Sequence, residues 1–144
     1  MKNLSLAAAC AVCVASASLA NEAFTYDFDG SFDDATFAVE SAIVGEGLVI
    51  DYVSHVGDML NRTAGDVGSD TMLFKNADIF LFCSAVVSRE VMEADPLNIT
   101  YCPYSIFVME TETGVTVGHK DYPDGSMQAA EDLMQQIVAE AIGN

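Results

Sequence analysis

Cys83 and Cys102 are the side chains of this 144-residue sequence best suited to do chemistry. Three kinds of site can be built from them. In an oxidising compartment, a pair with no other partner closes as a structural disulfide, which is worth about 3 kcal/mol in loop-closure entropy. With His55 and either Met59 or Met92, the same thiols could hold copper(I) or zinc, since soft sulfur ligands suit both ions. A thiol redox protein is the third reading, because Cys83 stands just before a helix start, a place that can favour a thiolate. The pair is not arranged as a Cys-x-x-Cys turn, and its spacing matches no established zinc pattern. The bridge is therefore the favoured reading, with the copper or zinc site and the redox site as alternatives.

No residue is assigned a catalytic role. The chain has no Gly-x-Ser-x-Gly, no His-Glu-x-x-His and no phosphate-binding loop. His119 reads as a surface residue and His55 as a histidine at a strand end. The acidic stretch DFDGSFDD has its glycine at the wrong step for a calcium loop, so strand alternation followed by a helix start explains it better. Asn61-Arg62-Thr63 and Asn98-Ile99-Thr100 have the form of sequons, which carry no meaning if the source is bacterial. A non-enzymatic binding module fits these observations better than an enzyme.

The compartment follows from the N-terminus. Lys2, an apolar run from Leu4 to Ala17 and Ser18-Leu19-Ala20 make residues 1–20 a signal peptide, with cleavage after Ala20 and release to the periplasm or outside the cell. The run is shorter than the ~20 residues that span hydrocarbon, and no stable membrane insertion is expected of the mature chain. Cys10 and Cys13 lie inside this leader and have no part in the site. The formal net charge is −17, and once Lys2 is removed only Arg62, Lys75, Arg89 and Lys120 oppose the acids. Such a surface repels phosphate, which excludes nucleic acid and anionic membranes as partners.

The remaining elements must position the thiols. Phe24, Tyr26 and Phe28 alternate with polar residues as in a half-buried strand. Ser31 and Asp34 resemble a capping box that opens a helix ending at Gly45 or Gly47. Leu48–Val56 reads as a strand ending near His55, and a short helix or turn follows whose Met59 and Leu60 reach the core. Ile79–Cys83 reads as a strand buried on both faces. Ser84 caps a helix that Asp95-Pro96 stops. Tyr104–Met109 and Val115–His119 form a hairpin about Thr113-Gly114, with Val115 and Val117 inward and His119 outward. A terminal helix runs from about Met127 to Ile142, with Glu131 away from its apolar stripe. This is a single compact α+β domain with a mainly antiparallel sheet and helices packed against it.

The order Gly47-Leu48-Val49, Ser54-His55, Phe80-Leu81-Phe82-Cys83-Ser84, Cys102-Pro103-Tyr104 and Val108-Met109-Glu110 resembles the DUF302 family. The likeness covers nearly all of residues 21–144. It implies a compact α+β domain, often self-associating, with no established activity. Family members carry an Asn-Pro pair where this chain has Cys83-Ser84, so the cysteines point to an exported branch.

If the strands ending at Cys83 and beginning after Cys102 are antiparallel neighbours, the two thiols meet at one end of the sheet. His55 joins them only if its own strand ends on that side. Uncovered strand edges, together with the family likeness, suggest a homodimer. The leader reading predicts a mature protein that begins at Asn21. N-terminal sequencing of the exported form checks it, and retention of Met1 would refute it.

Overall fold

The structure is a computed structural model and describes residues 23–143. The leader, Cys10, Cys13 and the processing site lie outside the described residues. In chain order the elements are β1 (Ala23–Phe28), α1 (Phe32–Gly45), β2 (Val49–Ser54), α2 (Val56–Thr63), β3 (Asn76–Cys83), α3 (Ala85–Ala94), β4 (Tyr104–Thr111), β5 (Gly114–Lys120) and α4 (Gln128–Ile142). Short 3-10 turns span Gly65–Val67 and Pro96–Tyr101. The strands form one sheet in the order β1-β5-β4-β3-β2, and every neighbouring pair is antiparallel. The α+β reading holds.

Local chemistry explains most of the boundaries. Ser31 accepts from the Asp34 amide at 3.1 Å while the Asp34 carboxylate accepts from the Ser31 amide at 3.2 Å, so two amides at the start of α1 are satisfied. Ser84 accepts from the Val87 amide and opens α3. Asp95 ends α3 and accepts from the Leu97 amide at 2.9 Å, with Pro96 supplying the fixed φ that starts the 3-10 turn.

One face of the sheet is the core. Phe80, Phe82, Tyr104, Ile106, Val108, Val115 and Val117 are buried there against Val39 and Ile43 of α1 and Met134, Ile137 and Val138 of α4. The opposite face is only half-buried at Ile79, Leu81 and Phe107. β3 is thus buried on one face rather than two, because both large helices pack on the same side of the sheet. Met59 also departs from expectation. It is 43% exposed, so α2 is not anchored to the core through it.

His119 and Glu131 require a larger correction. His119 is fully buried, since the two-residue period of β5 places it with Val115 and Val117 rather than with Thr116. Its ring lies 5.3 Å from that of Phe24, its register partner on β1. Glu131 is buried too, and its carboxylate accepts from the Tyr122 amide at 3.1 Å and from Gln135 at 2.8 Å. A polar position on a helix stripe was needed here to receive an amide from the loop that follows β5.

The start of α2 touches β3 through Gly57, where a Cβ would stand 2.5 Å from the Ala77 amide nitrogen. Gly57→Ala must push α2 off the strand and should destabilise the protein by about 2 kcal/mol, as overpacking does. A urea denaturation midpoint equal to that of the unchanged protein would refute this close contact.

Candidate functional site

The site is built at the end of the sheet where β3 finishes and β4 begins. Register pairs Phe82 with Tyr104, so Cys83 leaves β3 beside the point at which the chain re-enters as β4. Between these strands the chain makes an excursion through α3 and the 3-10 turn. Asn98, buried in that turn, holds the excursion in place by donating to the Val91 carbonyl at 2.8 Å and to Ser126 at 3.1 Å. The Cys102 amide then donates to the Ile99 carbonyl at 3.1 Å and delivers its side chain to Cys83.

The two sulfurs are 2.9 Å apart, half-buried, and present as free thiols rather than a bond. The Ser88 hydroxyl lies 3.7 Å from the Cys102 sulfur and donates to the Tyr104 hydroxyl at 3.3 Å. Behind them the rings of Tyr104 and Tyr101 each stand 5.9 Å from that of Tyr122. The Lys120 ammonium sits 5.7 Å from the Tyr122 ring centre and 6.0 Å from that of Tyr101, within cation–π range.

Burial keeps Cys83 protonated. The Cys83 thiol is pushed up to about 12, mainly by burial, then by its hydrogen bond to Cys102, by the Cys102 charge and by Asp51. The Tyr104 backbone opposes this. Burial likewise raises the Tyr104 and Tyr122 hydroxyls. Cys83 is therefore a thiol at neutral pH, although it lies at a helix start, because lost solvation outweighs the field of a ten-residue helix.

Two other sequence-predicted ligands, His55 and Met59, are elsewhere. Val49 pairs with Cys83 while Ser54 pairs with Ile79, so β2 ends at the far end of the sheet from the thiols. His55 stands there with its Nδ1 2.7 Å from the Asp78 carboxylate. Five strand residues of ~3.3 Å rise separate Asp78 from Cys83, putting the imidazole roughly 16 Å from the sulfurs. Met59 lies on α2 at that same distant end, where its sulfur is 3.9 Å from the Thr63 hydroxyl. Met92 is one helical turn beyond Ser88 and packs against the core. Antiparallel order decides this outcome, because adjacent strands end on opposite sides. Among the described residues, no group of three or more His, Cys, Asp or Glu side chains is placed to hold a metal.

Sequence reasoning missed Ser88, Tyr101, Tyr104, Lys120 and Tyr122 as neighbours of the thiols. One signal was available. Ser88 is four residues after the Ser84 cap and so shares its helical face. Residues 28–33 of the acidic stretch, which does not fit a calcium loop, line a hollow of about 420 Å³ with Asn76 and Glu110, and Asn76 donates to Glu110 there at 2.7 Å.

Comparison with known proteins comes to the same fold. Residues 24–144 match the family described as "Domain of unknown function DUF302". The chain belongs to the DUF302 family. A similar solved structure is that of an uncharacterized conserved DUF302 protein from Bacillus stearothermophilus, with 16% identity and a TM-score of 0.68. The likeness covers 86% of this chain and 98% of that one. At this identity the likeness supports the fold alone. No curated protein matches the chain.

In this DUF302 domain the proton held by Cys83 stabilises the folded state. A raised folded pKa gives a contribution that is present below the ordinary thiol value of 9.0 and lost as pH rises toward about 12. The reduced protein should lose more thermal stability across that window than a Cys83→Ser, Cys102→Ser double variant, which lacks the buried thiol. Parallel melting curves for the two proteins would disprove the burial of the thiol proton.

Proposed function

We propose that this DUF302 domain is an exported, non-enzymatic binding module whose Cys83 and Cys102 close into a structural disulfide. The observation that supports the reading is the 2.9 Å sulfur separation, with no group of three or more His, Cys, Asp or Glu side chains among the described residues placed to hold a metal. A tetrahedral zinc with ~2.3 Å bonds holds two thiolates roughly 3.8 Å apart and needs two further ligands. The thiols are too close for that ion as they stand, and His55 and Met59 are too distant to complete a copper or zinc site. A dithiol exchange enzyme needs a lowered thiol pKa, whereas Cys83 is pushed the other way.

Closing the bridge joins the end of β3 to the residue that leads into β4, across the whole α3 excursion. Exchange with an oxidised dithiol balances the step: two protein thiols become one S–S bond, and the donor disulfide takes up both electrons and both protons. The closed excursion holds Ser88 and Tyr101 beside Lys120 of β5 as one wall at this end of the sheet. Polar atoms beside an aromatic ring make such a wall a surface for binding.

Intact mass of the exported form, purified without reductant, should fall by two protons relative to the reduced protein and show no bound metal. Cys83→Ser should lower the stability of this form by about 3 kcal/mol and leave metal uptake unchanged. Two free thiols in the exported form, or stoichiometric copper or zinc that Cys83→Ser abolishes, would overturn the reading.

A further inference from the structure

The face of the sheet opposite the core departs from the usual pattern of an antiparallel sheet with one open side, in which the open face is polar. The register fixes which residues are neighbours there. Ile79 of β3 pairs with Phe107 of β4, Phe107 with Gly118 of β5 and Gly118 with Thr25 of β1, so these four form one row across the sheet. On the thiol side of that row Tyr52 of β2 pairs with Leu81, and on the far side Met109 pairs with Thr116. Alternate residues of a strand share a face, so Leu81, Ile79, Phe107 and Met109 are contiguous apolar neighbours. A Cβ at Gly118 would stand 2.5 Å from the Phe107 ring. That ring therefore lies flat across β5 and leaves the centre of the face level.

Acids avoid this face. Asp27 and Asp51 are on the edge strands β1 and β2. Asp78 and Glu110 pair with Val108 and Val115, which are buried on the helix-covered side. The outward positions of β3 and β4 thus carry no charge, in a chain with 22 acids and a formal net charge of −17. This charge selects what can cover the face. A copy of the chain is repelled by every acidic surface of the other copy and can approach only where acids are absent. A basic partner would be drawn to the acids instead and would leave this face bare. The strand edges are poorer contacts, because β2 is irregular between Ile50 and Tyr52 and β1 carries Asp27, both of which discourage edge pairing. In outline the face measures about 24 Å by 20 Å, from five strands at ~4.8 Å and six residues at ~3.3 Å. Two such faces remove roughly 1,000 Å² from water, the lower limit for a specific interface, which sets a reversible dimer rather than a permanent one.

We propose that the outward face of β3, β4 and β5 is a homodimer interface in which two copies stack sheet on sheet, about 10 Å apart. The contact is isologous, so any residue placed on it enters twice. It is independent of whether the thiols are bridged, and it lies on the sheet face rather than on the strand edges expected from sequence.

Sedimentation velocity over a concentration series tests this, in reductant so that no intermolecular disulfide forms. The protein should show a monomer–dimer equilibrium with a dissociation constant in the micromolar range. The dimer should tighten as salt rises, since screening weakens the repulsion between two acidic copies. Thr116→Glu sets a carboxylate on the face, and Tyr52→Glu sets one at its rim, where Tyr52 is 63% exposed. Each should raise the dissociation constant at least about tenfold with an unchanged circular dichroism spectrum. Thr116→Glu exchanges one polar side chain for another and decides the matter should Tyr52→Glu fail to fold. Phe37→Glu, at a position on α1 that is 72% exposed, should leave the dimer as it is. A monomer alone at about 100 µM in moderate salt would overturn the proposal. So would a dimer that neither face variant weakens, which would place the contact on an edge or a helix, and so would equal weakening by Phe37→Glu.

Discussion

The antiparallel pairing of β3 with β4 is the constraint on which the rest of this domain depends. It sets Phe82 opposite Tyr104 and Phe80 opposite Ile106, four buried side chains in two adjacent rows at the centre of the sheet. The same register leaves the end of β3 and the entry to β4 side by side. Whatever lies between the two strands must depart from and return to one point, so Cys83 and Cys102 meet because the core rows meet. A slip of one residue would turn Phe82 and Tyr104 toward solvent and separate the thiols, so core packing and site geometry are enforced together.

That coupling sets the chemistry of the site. A thiol at a strand end next to a buried tyrosine loses solvation, and desolvation favours its neutral form. The field of α3 acts in the opposite direction and is too small to prevail. The result is a pair of thiols in contact, of which Cys83 is held protonated. Ser88 and Tyr104 reinforce this by occupying the polar space around the sulfurs with a hydroxyl pair of their own.

At the other end of the sheet the same antiparallel order gathers polar groups. His55 and Asp78 pair there, Asn76 bonds Glu110, and Asp33 and Asp34 begin α1. The thiols and the His55–Asp78 pair therefore lie at opposite ends of the sheet. His119 and Glu131 are the exceptions that lie inside. Glu131 is retained because the Tyr122 amide, turning from β5 toward α4, needs an acceptor where water is absent.

The sequence by itself determined the elements, because their signals are local. A serine three residues before an acid caps α1, Asp95-Pro96 stops α3, and alternation marks β1 and the β4–β5 hairpin. It also let Cys83 and Cys102 meet on the condition that the two strands are antiparallel neighbours, a condition that the β3–β4 register meets. Only the tertiary structure decided which neighbours the thiols received. His55 was excluded because β2 runs against β3 and ends at the far edge, a fact of sheet order that no local pattern encodes. Ser88, Tyr122 and Lys120 were brought in because α3 folds back along the sheet and β5 runs beside β4. The inward turn of His119 was legible in principle from the period of β5. Its full burial was not, because that depends on Phe24 arriving from the opposite end of the chain.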